Sequence, residues 1–519
     1  MQQKRTPILL LVGLLAFGSL LAQNSAKPNI IFILADDLSY RDLSCYGQRQ
    51  FKTPNIDRLA QQGVRFIQAY SAAPECAPAR SSLLTGLHTG HGPIRANLSA
   101  RGQDHLQEED LTIAEVLKSA GYTTGFTGKW GLGLPGTPGV PYLQGFDFSF
   151  GFYDQQHAQT YFPDYLWKND EKIEYPENSG FDMARRFRAQ DLEYPDSLRN
   201  TYDGAGRLMV KEVADSRRMV YSEREIENAA LQFVRDHAGE PFFLYIAPQT
   251  PHGPVIVDEL GEMARRTDLP QPQREWAAMV QRLDLFVGNL TGLLQSMGLY
   301  DNTVIFFGAD NGYAMPGYFG RGNAPKWPDD PHLRNKGPFT GGQYSIQEGG
   351  LRIPCFVHAP KRFEPAVVNT PVWLPDFFST AAALAGAKVG REVDGLDLQP
   401  VLKGKPEGFP ADRPLYFSRQ REQAVRKGPW RAFRPFPGAP VELYIVEDDS
   451  YCLNNVADFY PQVVRELTTV MDNSHKSHEW YWNPWEKDVD FKKKRDKAKT
   501  AGQLMNSTYP NGLTKMPVE

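Results

Sequence analysis

The sequence predicts an α/β fold: a large mixed, mostly parallel β-sheet sandwiched by helices, followed by a smaller C-terminal α+β subdomain. Short apolar segments alternate with amphipathic helical segments along most of the chain, and the pattern changes past about residue 405. Apolar runs without polar alternation are typical of strands buried on both faces. Strands that alternate with helices indicate a sheet with helices packed on both sides.

Five apolar runs are predicted to be buried parallel strands, because each is short and bounded by turn residues. They are NIIFILA (29–35), YTTGFTG (122–128), FFLYIA (242–247), TVIFFGA (303–309) and IPCFVHA (353–359). Helical spacing of apolar residues occurs in TIAEVLKSAG (112–121) and SEREIENAALQFVRDHA (222–238). Gly121 stands where a helix C-cap is expected.

The C-terminal part of the chain has a different pattern of predicted secondary structure. PLYFSRQREQAVRKGPWRAFRP (414–435) and VELYIVEDD (441–449) predict antiparallel strands joined by short turns, and PQVVRELTTVM (461–471) predicts a helix. The basic run FKKKRDKAK (491–499) is interpreted as a solvated tail, with polyanion binding as the alternative. We therefore predict a main domain over 23–404 and a subdomain over 405–519.

The N-terminus has the features of a secretory signal peptide over residues 1–22. Lys4 and Arg5 precede an apolar segment from Ile8 to Ala22, which ends in small residues. This segment is shorter than a membrane span needs, and no later run of about 20 apolar residues follows. We expect export to the periplasm or the extracellular space, without stable membrane insertion; a retained N-terminal anchor is the alternative.

The overall charge and the cysteine content exclude two classes of protein. The formal net charge of −4 over 519 residues gives no reason to expect nucleic acid as a partner. Four cysteines in so long a chain do not form a disulfide scaffold, although two disulfides could exist. If Cys76 is kept for chemistry, at least one other thiol is left unpaired.

Polar side chains follow four of the predicted strands. In open α/β sheets the ligand crevice lies outside the carboxyl ends of the strands, so these side chains are expected to meet at one edge. They are Asp36 and Asp37, Lys129, His252, and Asp310 with Asn311.

This set of residue types predicts a metal site that also binds an oxyanion. Carboxylate and amide oxygens are ligands that suit Ca²⁺, or less well Mg²⁺. The sequence lacks the paired histidines and cysteines that would indicate a zinc site. Arg80, Lys129 and His252 would place positive charge beside that metal, as the binding of a tetrahedral oxyanion requires. From the residues alone, the chain is predicted to be a hydrolase of sulfate or phosphate esters.

The segment CAPARSSLLTG (76–86) matches the pattern C-x-P-x-R-x-x-x-L-T-G of the formylglycine-dependent sulfatases, in the alkaline-phosphatase-like superfamily. The chain also resembles this family in GYTTGFTGKWGLG (121–133), FFLYIAPQTPHGP (242–254), FFGADNG (306–312) and EGGLRIP (348–354). The resemblance covers most of residues 28–400 in the family's order. It implies an alkaline-phosphatase-like fold and a sulfatase activity.

The resemblance also implies a mechanism. A separate maturation enzyme would oxidise Cys76 to Cα-formylglycine during export, before the chain folds. One hydroxyl of the hydrated aldehyde, bound to the metal, would attack sulfur and displace the alcohol, and the second would drive elimination of sulfate. The metal, usually calcium, would be held by modified Cys76 together with Asp36, Asp37, Asp310 and Asn311.

The remaining roles follow from the same resemblance. Arg80 would steady the formylglycine hydrate, and Lys129 would contact the sulfate oxygens. His252 would protonate the leaving oxygen or contact the sulfate.

The sequence departs from the family pattern at two positions. The usual G-K-W-H-L-G is GKWGLG here, so Gly131 replaces a histidine commonly assigned to help formylglycine eliminate sulfate. The family commonly carries a lysine where this chain has Gln343, and Lys336 is a candidate substitute for it in contacting the sulfate. These departures indicate a subgroup whose pocket supplies the missing groups from elsewhere, or a catalytically impaired protein.

A sulfated carbohydrate is the predicted substrate, in preference to an aryl sulfate or a steroid sulfate. His91, Arg95 and Asn97 follow the nucleophile motif and could bind sugar hydroxyls. YFPDYLW (161–167) and HEWYWNPW (478–485) could offer aromatic faces to sugar rings, although core packing explains aromatics as often. A glycosylation sequon at Asn97 would obstruct such a pocket in a eukaryotic host, which favours a bacterial source.

Two other functions remain open from the sequence. One is a phosphonate or phosphodiester hydrolase of the same superfamily, because phosphate and sulfate esters differ mainly in charge. The other is a protein that binds sulfated glycans without hydrolysing them.

Overall fold

The computed structural model describes residues 27–181, 199–314 and 338–505. The predicted signal peptide (1–22) and Lys336 lie outside the described residues. Among the helices that are described, none combines the length and the apolar character needed to cross a bilayer. All four cysteines are free.

The strands of the described chain are β1 (Asn29–Ala35), β2 (Val64–Phe66), β3 (Ala69–Tyr70), β4 (Thr123–Lys129), β5 (Phe148–Phe152), β6 (Tyr165–Lys168), β7 (Glu171–Glu174), β8 (Thr201–Tyr202), β9 (Leu208–Met209), β10 (Phe242–Ala247), β11 (Thr303–Ala309), β12 (Cys355–His358), β13 (Ala366–Val368), β14 (Val372–Trp373), β15 (Leu415–Arg419), β16 (Glu422–Lys427), β17 (Trp430–Arg434) and β18 (Glu442–Ile445).

The α-helices are α1 (Pro54–Gln61), α2 (Cys76–Thr85), α3 (Ile113–Ser119), α4 (Ser222–Asp236), α5 (Gln271–Ser296), α6 (Glu348–Leu351), α7 (Pro375–Ala385), α8 (Gln399–Leu402), α9 (Pro461–Asn473) and α10 (Asp488–Thr500). Short 3₁₀ turns lie at Ser44–Tyr46, Pro141–Leu143, His157–Gln159, Pro176–Asn178, Ser216–Arg218, Gly261–Arg265, Tyr300–Asn302 and Ala457–Phe459.

A ten-stranded mixed sheet forms the centre of the molecule, in the order β13-β2-β12-β11-β1-β10-β4-β5-β6-β7. Its middle five strands, from β11 to β5, are all parallel to one another. Every residue of β1, β10 and β11 is buried, as expected for strands covered on both faces. Parallel strands end at the same edge, so these five bring their carboxyl ends together.

Helices cover both faces of this sheet, as predicted. On one face Phe377 of α7 contacts Phe32 of β1, with ring centroids 4.5 Å apart. On the other face Phe233 of α4 packs so closely over Gly125 of β4 that a Cβ at residue 125 would lie 2.6 Å from its ring. The α/β architecture predicted from the sequence is therefore confirmed.

The predicted strand at 353–359 differs from the others in direction. It forms β12, which runs antiparallel to both β11 and β2. Its predicted parallel direction is wrong, because an apolar run reports burial on both faces and carries no information about strand direction. The other four predicted strands are β1, β4, β10 and β11, all parallel.

Helix α2 begins within the motif that resembles the sulfatases. Cys76 is the first residue of the helix. The helix ends at Gly86, whose φ of 70° is the left-handed conformation that favours glycine at this position. Helix α3 has a capping box, in which Thr112 and Glu115 are hydrogen-bonded reciprocally. The long helix α5 was not predicted.

The C-terminal strands form a separate antiparallel sheet, β15-β16-β17-β18, with α9 packed on it as predicted. The other face of this sheet packs against the main domain, where Phe417 and Ala424 meet Tyr70 and Leu351. The basic run 491–499 lies within helix α10, and most of its side chains are exposed to solvent, as predicted. Lys494 is fixed by hydrogen bonds to two backbone carbonyls, those of His478 and Tyr481.

The C-terminal sheet is attached to the main domain through a buried carboxylate. Glu348 of α6 accepts hydrogen bonds from Arg352 at 2.6 Å and from Arg431 of β17 at 3.1 Å. Burial raises the pKa of Glu348, but the neighbouring arginines more than offset this and hold it below its ordinary value. Removing one partner of a buried ion pair leaves uncompensated charge in the interior.

A second buried acid supports the loop after β10. Glu223, at the start of α4, accepts a hydrogen bond from the Gln249 backbone N–H at 2.7 Å. Burial, followed by the nearby Glu227, raises the pKa of Glu223 to about 8. The side chain is therefore protonated in the folded protein at neutral pH and ionised in the unfolded chain.

We predict that Glu348→Gln lowers the free energy of unfolding by about 3–5 kcal/mol, because two buried arginines lose their common counter-charge. Chemical denaturation measures this. The matched control is Glu466→Gln, which removes an exposed ion pair with Lys427 and should change stability by less than about 0.5 kcal/mol. Equal effects of the two substitutions would contradict the proposed attachment.

We predict that Glu223→Gln reduces the loss of stability on raising the pH. With a folded pKa above the unfolded one, the wild-type protein is most stabilised by Glu223 below about pH 4.5 and loses that contribution up to about pH 8, at about 1.4 kcal/mol per unit. Chemical denaturation at pH 5 and pH 8 should show that the free energy of unfolding of the variant, relative to wild type, is higher at pH 8 than at pH 5. Glu171→Gln, an exposed change on β7, should show no such gain.

Candidate active site

The carboxyl ends of the central strands deliver the predicted side chains to one edge. Asp36 and Asp37 follow β1, Asp310 and Asn311 follow β11, and Lys129 is the last residue of β4. His252 lies in the loop after β10, which is tied to β1 because the Asp36 backbone N–H donates to the Thr250 carbonyl. Cys76 reaches this edge as the first residue of α2. The structure thus brings these predicted residues together.

Cys76 is buried within the acidic cluster. Its Sγ lies 3.5 Å from Asp36 Oδ1 and 3.8 Å from Asn311 Oδ1. Burial, and then the carboxylate of Asp310, raise the pKa of the Cys76 thiol well above its ordinary value. An unmodified thiol is therefore protonated here, in contrast to catalytic cysteines, whose pKa is lowered.

Asp37 has an unusual backbone conformation. Its φ of 61° lies in the left-handed region, which few residues other than glycine adopt. Its backbone N–H donates to Asp310 Oδ1 at 3.1 Å, and its Oδ1 accepts from Asn311 Nδ2 at 2.8 Å. Gln343 Nε2 donates to the same Oδ1 at 2.7 Å. Gln343 therefore lies in the cluster as a neutral donor where the family commonly has a lysine.

Two buried cations face the carboxylates. Arg80 Nη2 lies 2.8 Å from Asp310 Oδ2 and 3.4 Å from Asp36 Oδ1. Lys129 Nζ lies 2.7 Å from Asp36 Oδ2. Burial alone would lower the pKa of both cations, but Asp310 for Arg80 and Asp36 for Lys129 more than offset it and raise each pKa. Both side chains therefore stay charged in the interior.

His252 is held with one ring nitrogen toward the cluster. Its Nδ1 donates to the Gly253 carbonyl, which leaves Nε2 3.7 Å from Asp37 Oδ2. Tyr161 fixes the loop, because its hydroxyl donates to the carbonyls of Gln249 and His252 at 3.0 and 2.8 Å. Tyr161 is fully buried, so it supports this loop and offers no face to a sugar ring.

The donor set fits a hard divalent cation. One ligand atom from each of Asp36, Asp37, Cys76 and His252 lies within 4.8 Å of the others. Burial and the neighbouring Asp36 raise the pKa of Asp310 to about 6, as happens when carboxylates share a site without enough positive charge. Among the described residues, these three carboxylates face two permanent cations, Arg80 and Lys129, and their oxygens are the ligands that Ca²⁺ and Mg²⁺ prefer.

The predicted sugar-binding residues lie in three different places. Asn97 Oδ1 accepts from the Ala77 backbone N–H at 2.9 Å, so Asn97 braces the first turn of α2 beside Cys76. Arg95 is buried and donates to the Gly92 carbonyl at 3.0 Å, within the protein. His91 contacts Asp394 near the far end of α2, about 15 Å from Cys76 by the length of the helix. The structure brings only Asn97 of these three beside the cluster.

A second group of possible ligands, His88, His91 and Asp394, does not fit a metal. The Gly90 backbone N–H donates to His88 Nδ1 at 3.0 Å, so in the neutral ring Nε2 carries the proton and has no lone pair for a metal. Burial lowers the pKa of His88 to about 3, which keeps the ring neutral. The group is a hydrogen-bonded brace between the loop after α2 and residue 394.

Sequence reasoning missed an ion pair beside the nucleophile. Glu75 immediately precedes Cys76, and its Oε1 accepts from Arg419 Nε at 2.7 Å. Arg419 ends β15 and lies over the ring of Tyr344. The C-terminal sheet thus contributes a cation to the wall of the site. Only the adjacency of Glu75 to the motif cysteine could have indicated this, because Arg419 is 344 residues away in sequence.

Comparison with known proteins agrees with this site. The profile of the family described as Sulfatase matches residues 28–387. The N-acetylgalactosamine-6-sulfatase of Rattus norvegicus is 33% identical over 448 residues, which cover 83% of this chain and 75% of that protein. The N-acetylgalactosamine-6-O-sulfatase of Bacteroides thetaiotaomicron is 29% identical over 510 residues, covering 87% of this chain and 94% of that protein.

A solved structure has the same fold. The crystal structure of Ps i-CgsB in complex with k-i-k-neocarrahexaose superimposes with a TM-score of 0.69 and 28% sequence identity, covering 92% of this chain and 100% of that chain. The fold, the order of the motif residues and the profile match lead to one conclusion. The chain belongs to the sulfatase family of sulfuric ester hydrolases.

Proposed function

We propose that the protein hydrolyses a sulfate ester on a carbohydrate, using Cys76 after its conversion to formylglycine. The observation that carries this proposal is the position of Cys76, at the first turn of α2, with Sγ 3.5 Å from Asp36 and 3.8 Å from Asn311. An oxygen nucleophile at this position would lie among hard donors and beside two buried cations. The 1% exposure of Cys76 supports conversion by a maturation enzyme before the chain folds.

We assign Asp36, Asp37, Asp310 and Asn311, together with modified residue 76, as ligands of a divalent cation, with calcium preferred over magnesium. Such a cation would polarise oxygen and offset negative charge. Without it, the two cations in the described part of the chain do not balance the three carboxylates, and their surplus negative charge would repel an anionic substrate. The surplus of buried carboxylate is what supports this assignment.

Arg80 and Lys129 act on the charge of the sulfate group. Both are buried and permanently charged, so they attract an anion into a region of low dielectric, where their effect is strongest. Arg80 also donates to the Lys129 carbonyl at 2.7 Å, which holds the two cations in fixed relative positions. We assign Arg80 to the group at residue 76 and Lys129 to the sulfate oxygens.

His252 is assigned as the acid that protonates the leaving oxygen. Because Nδ1 donates to the Gly253 carbonyl, a proton on Nε2 makes the ring an imidazolium. This nitrogen lies 3.7 Å from Asp37 Oδ2. The proton then sits on the ring nitrogen that faces the cluster, where the displaced alcohol would need it.

The substrate class rests on the relatives. The rat and Bacteroides proteins are named for the 6-sulfate of N-acetylgalactosamine, and Ps i-CgsB was crystallised with k-i-k-neocarrahexaose. We propose a sulfated sugar of this kind as substrate, and an exported enzyme that meets it outside the cytoplasm. Gln343 and Asn97 lie at the edge of the cluster, where they could contact the sugar or the sulfate.

We predict release of inorganic sulfate from a panel of 6-sulfated and 4-sulfated galactose and N-acetylgalactosamine when the protein is co-expressed with a maturation enzyme. Cys76→Ala should lower the rate by on the order of 10⁴-fold or more, because it removes the nucleophile. Cys452→Ala removes a half-buried cysteine whose charged neighbours include Arg431 and Glu348, and it should leave the rate unchanged.

The same assay separates the competing functions. The matching sugar phosphates, tested in parallel, should be hydrolysed far more slowly than the sulfates. Faster phosphate release would favour a phosphoester hydrolase. Tight binding without release, in protein whose residue 76 is fully converted, would favour a glycan-binding protein.

We predict that Ca²⁺ stabilises the protein and that Mg²⁺ does so less. At a hundredfold excess over Kd, a ligand that binds only the folded state adds about 2.7 kcal/mol, which thermal unfolding with and without chelator would reveal. Asp37→Asn should abolish the calcium-dependent shift. Asp301→Asn, which removes an exposed pair with Lys361, should retain it. An equal shift in both variants would contradict the assigned ligands.

A further inference from the structure

The space beside Gly131 is occupied by the side chain of Gln155. Gly131 has φ = 76°, and a Cβ added to it would lie 2.3 Å from Gln155 Oε1 and 3.4 Å from Cδ. Any side chain at residue 131 would therefore begin where this carboxamide lies. Gln155 fills the space that the substitution to glycine leaves open.

Gln155 belongs to the same edge of the sheet as the catalytic residues. Strands β4 and β5 are parallel and in register, with Lys129 opposite Phe152. Beyond the strands the pairing continues, because the Gly131 backbone N–H donates to the Tyr153 carbonyl at 3.3 Å. Gln155 thus follows β5 in the way that Asp36 follows β1 and His252 follows β10. It is a fifth contribution from the carboxyl ends of the parallel strands.

The oxygen of this carboxamide is buried and has no donor among the described residues. Gln155 is only 6% exposed, and its Oε1 is out of contact with solvent. Its backbone is fixed, because its N–H donates to Gln103 Oε1 at 2.7 Å, while Gln103 Nε2 donates to the Tyr153 carbonyl at 3.3 Å. A buried acceptor without a donor costs free energy, and this one lies beside the position of the missing family histidine, so it is available to a donor that arrives with a ligand.

We propose that Gln155 is a further catalytic residue, whose side-chain oxygen accepts a hydrogen bond from a hydroxyl group at the reaction centre. The oxygens of a sulfate group cannot donate to this acceptor, whereas a hydroxyl can. Two sources provide one: the hydrated aldehyde at residue 76 and the sugar next to the ester. A carboxamide does not take up a proton, so Gln155 orients this hydroxyl and leaves proton transfer to other groups. This inference rests on the proposed sulfatase function.

The first test uses Gln155→Leu, which keeps the size of the side chain and removes the acceptor. Its kcat and KM are measured on 6-sulfated N-acetylgalactosamine and on 4-nitrophenyl sulfate, which has no hydroxyl. Loss of this hydrogen bond should lower kcat/KM on the order of 10- to 100-fold. If kcat/KM falls only for the sulfated sugar, the hydroxyl belongs to the substrate. If kcat/KM falls equally for both substrates, the hydroxyl belongs to residue 76.

The second test measures binding and needs no turnover. In a Cys76→Ala background, calorimetry gives the Kd of 6-sulfated N-acetylgalactosamine with and without Gln155→Leu. A weakening of about tenfold or more supports a contact with the sugar hydroxyl. An unchanged Kd, with activity lost on both substrates, supports a contact with residue 76. Unchanged Kd and unchanged activity on both substrates overturn the proposal.

Gly131→Ala provides an independent variant, because its Cβ would displace Gln155 Oε1. Gly131→Ala and Gln155→Leu should each lower activity, and the double variant should lose little more than either, since both act through one oxygen. Fully additive losses would overturn the proposal. Gln156→Leu, at the neighbouring glutamine, should keep wild-type activity.

The two proposals fail in different ways. Wild-type protein with residue 76 fully converted that releases sulfate from no member of the sulfated-sugar panel overturns the sulfatase function, and this inference with it. Active wild-type protein matched by an equally active Gln155→Leu overturns this inference alone.

Discussion

The site depends on a charge balance buried at the carboxyl edge of the parallel strands. Asp36, Asp37 and Asp310 are held out of water against Arg80 and Lys129, with contacts of 2.7 and 2.8 Å between opposite charges. Buried charges are tolerated only when they are paired and hydrogen-bonded. The surplus carboxylate makes the edge suitable for a divalent cation, and the two cations make it suitable for an anion. Removing either set would leave the other uncompensated.

The rest of the molecule holds this edge in place. Helix α2 carries Cys76 and Arg80 on successive turns, so one helix positions both the nucleophile and its neighbouring cation. The C-terminal sheet reaches the same region through Arg419, which forms an ion pair with Glu75. A second ion pair, between Arg431 and Glu348, connects this sheet to the main domain. The small subdomain is therefore part of the wall of the site. It is more than an appended module.

The two departures from the family pattern have different structural outcomes. Gln343 lies in the cluster and donates to Asp37, so a neutral amide stands where a cation is usual. At Gly131 the lost side chain is replaced in space by Gln155, which comes from another strand. The first departure changes the charge of the site and keeps a hydrogen-bond donor. The departure at Gly131 exchanges an ionisable histidine for the neutral carboxamide of Gln155. Two sequence positions are therefore involved in this change.

The sequence by itself determined the fold class, four of the five predicted strands, the helices after residues 112, 222 and 461, and the residues of the acidic cluster. These follow from local patterns: continuous burial, helical spacing, and polar groups placed directly after strands. Only the tertiary structure decided the direction of β12, the helical start at Cys76, the intramolecular hydrogen bonds of Arg95 and Asn97, and the positions of Arg419 beside Glu75 and of Gln155 beside Gly131. These depend on contacts between residues far apart in the chain, and local propensity carries no information about which distant segment packs against a given one.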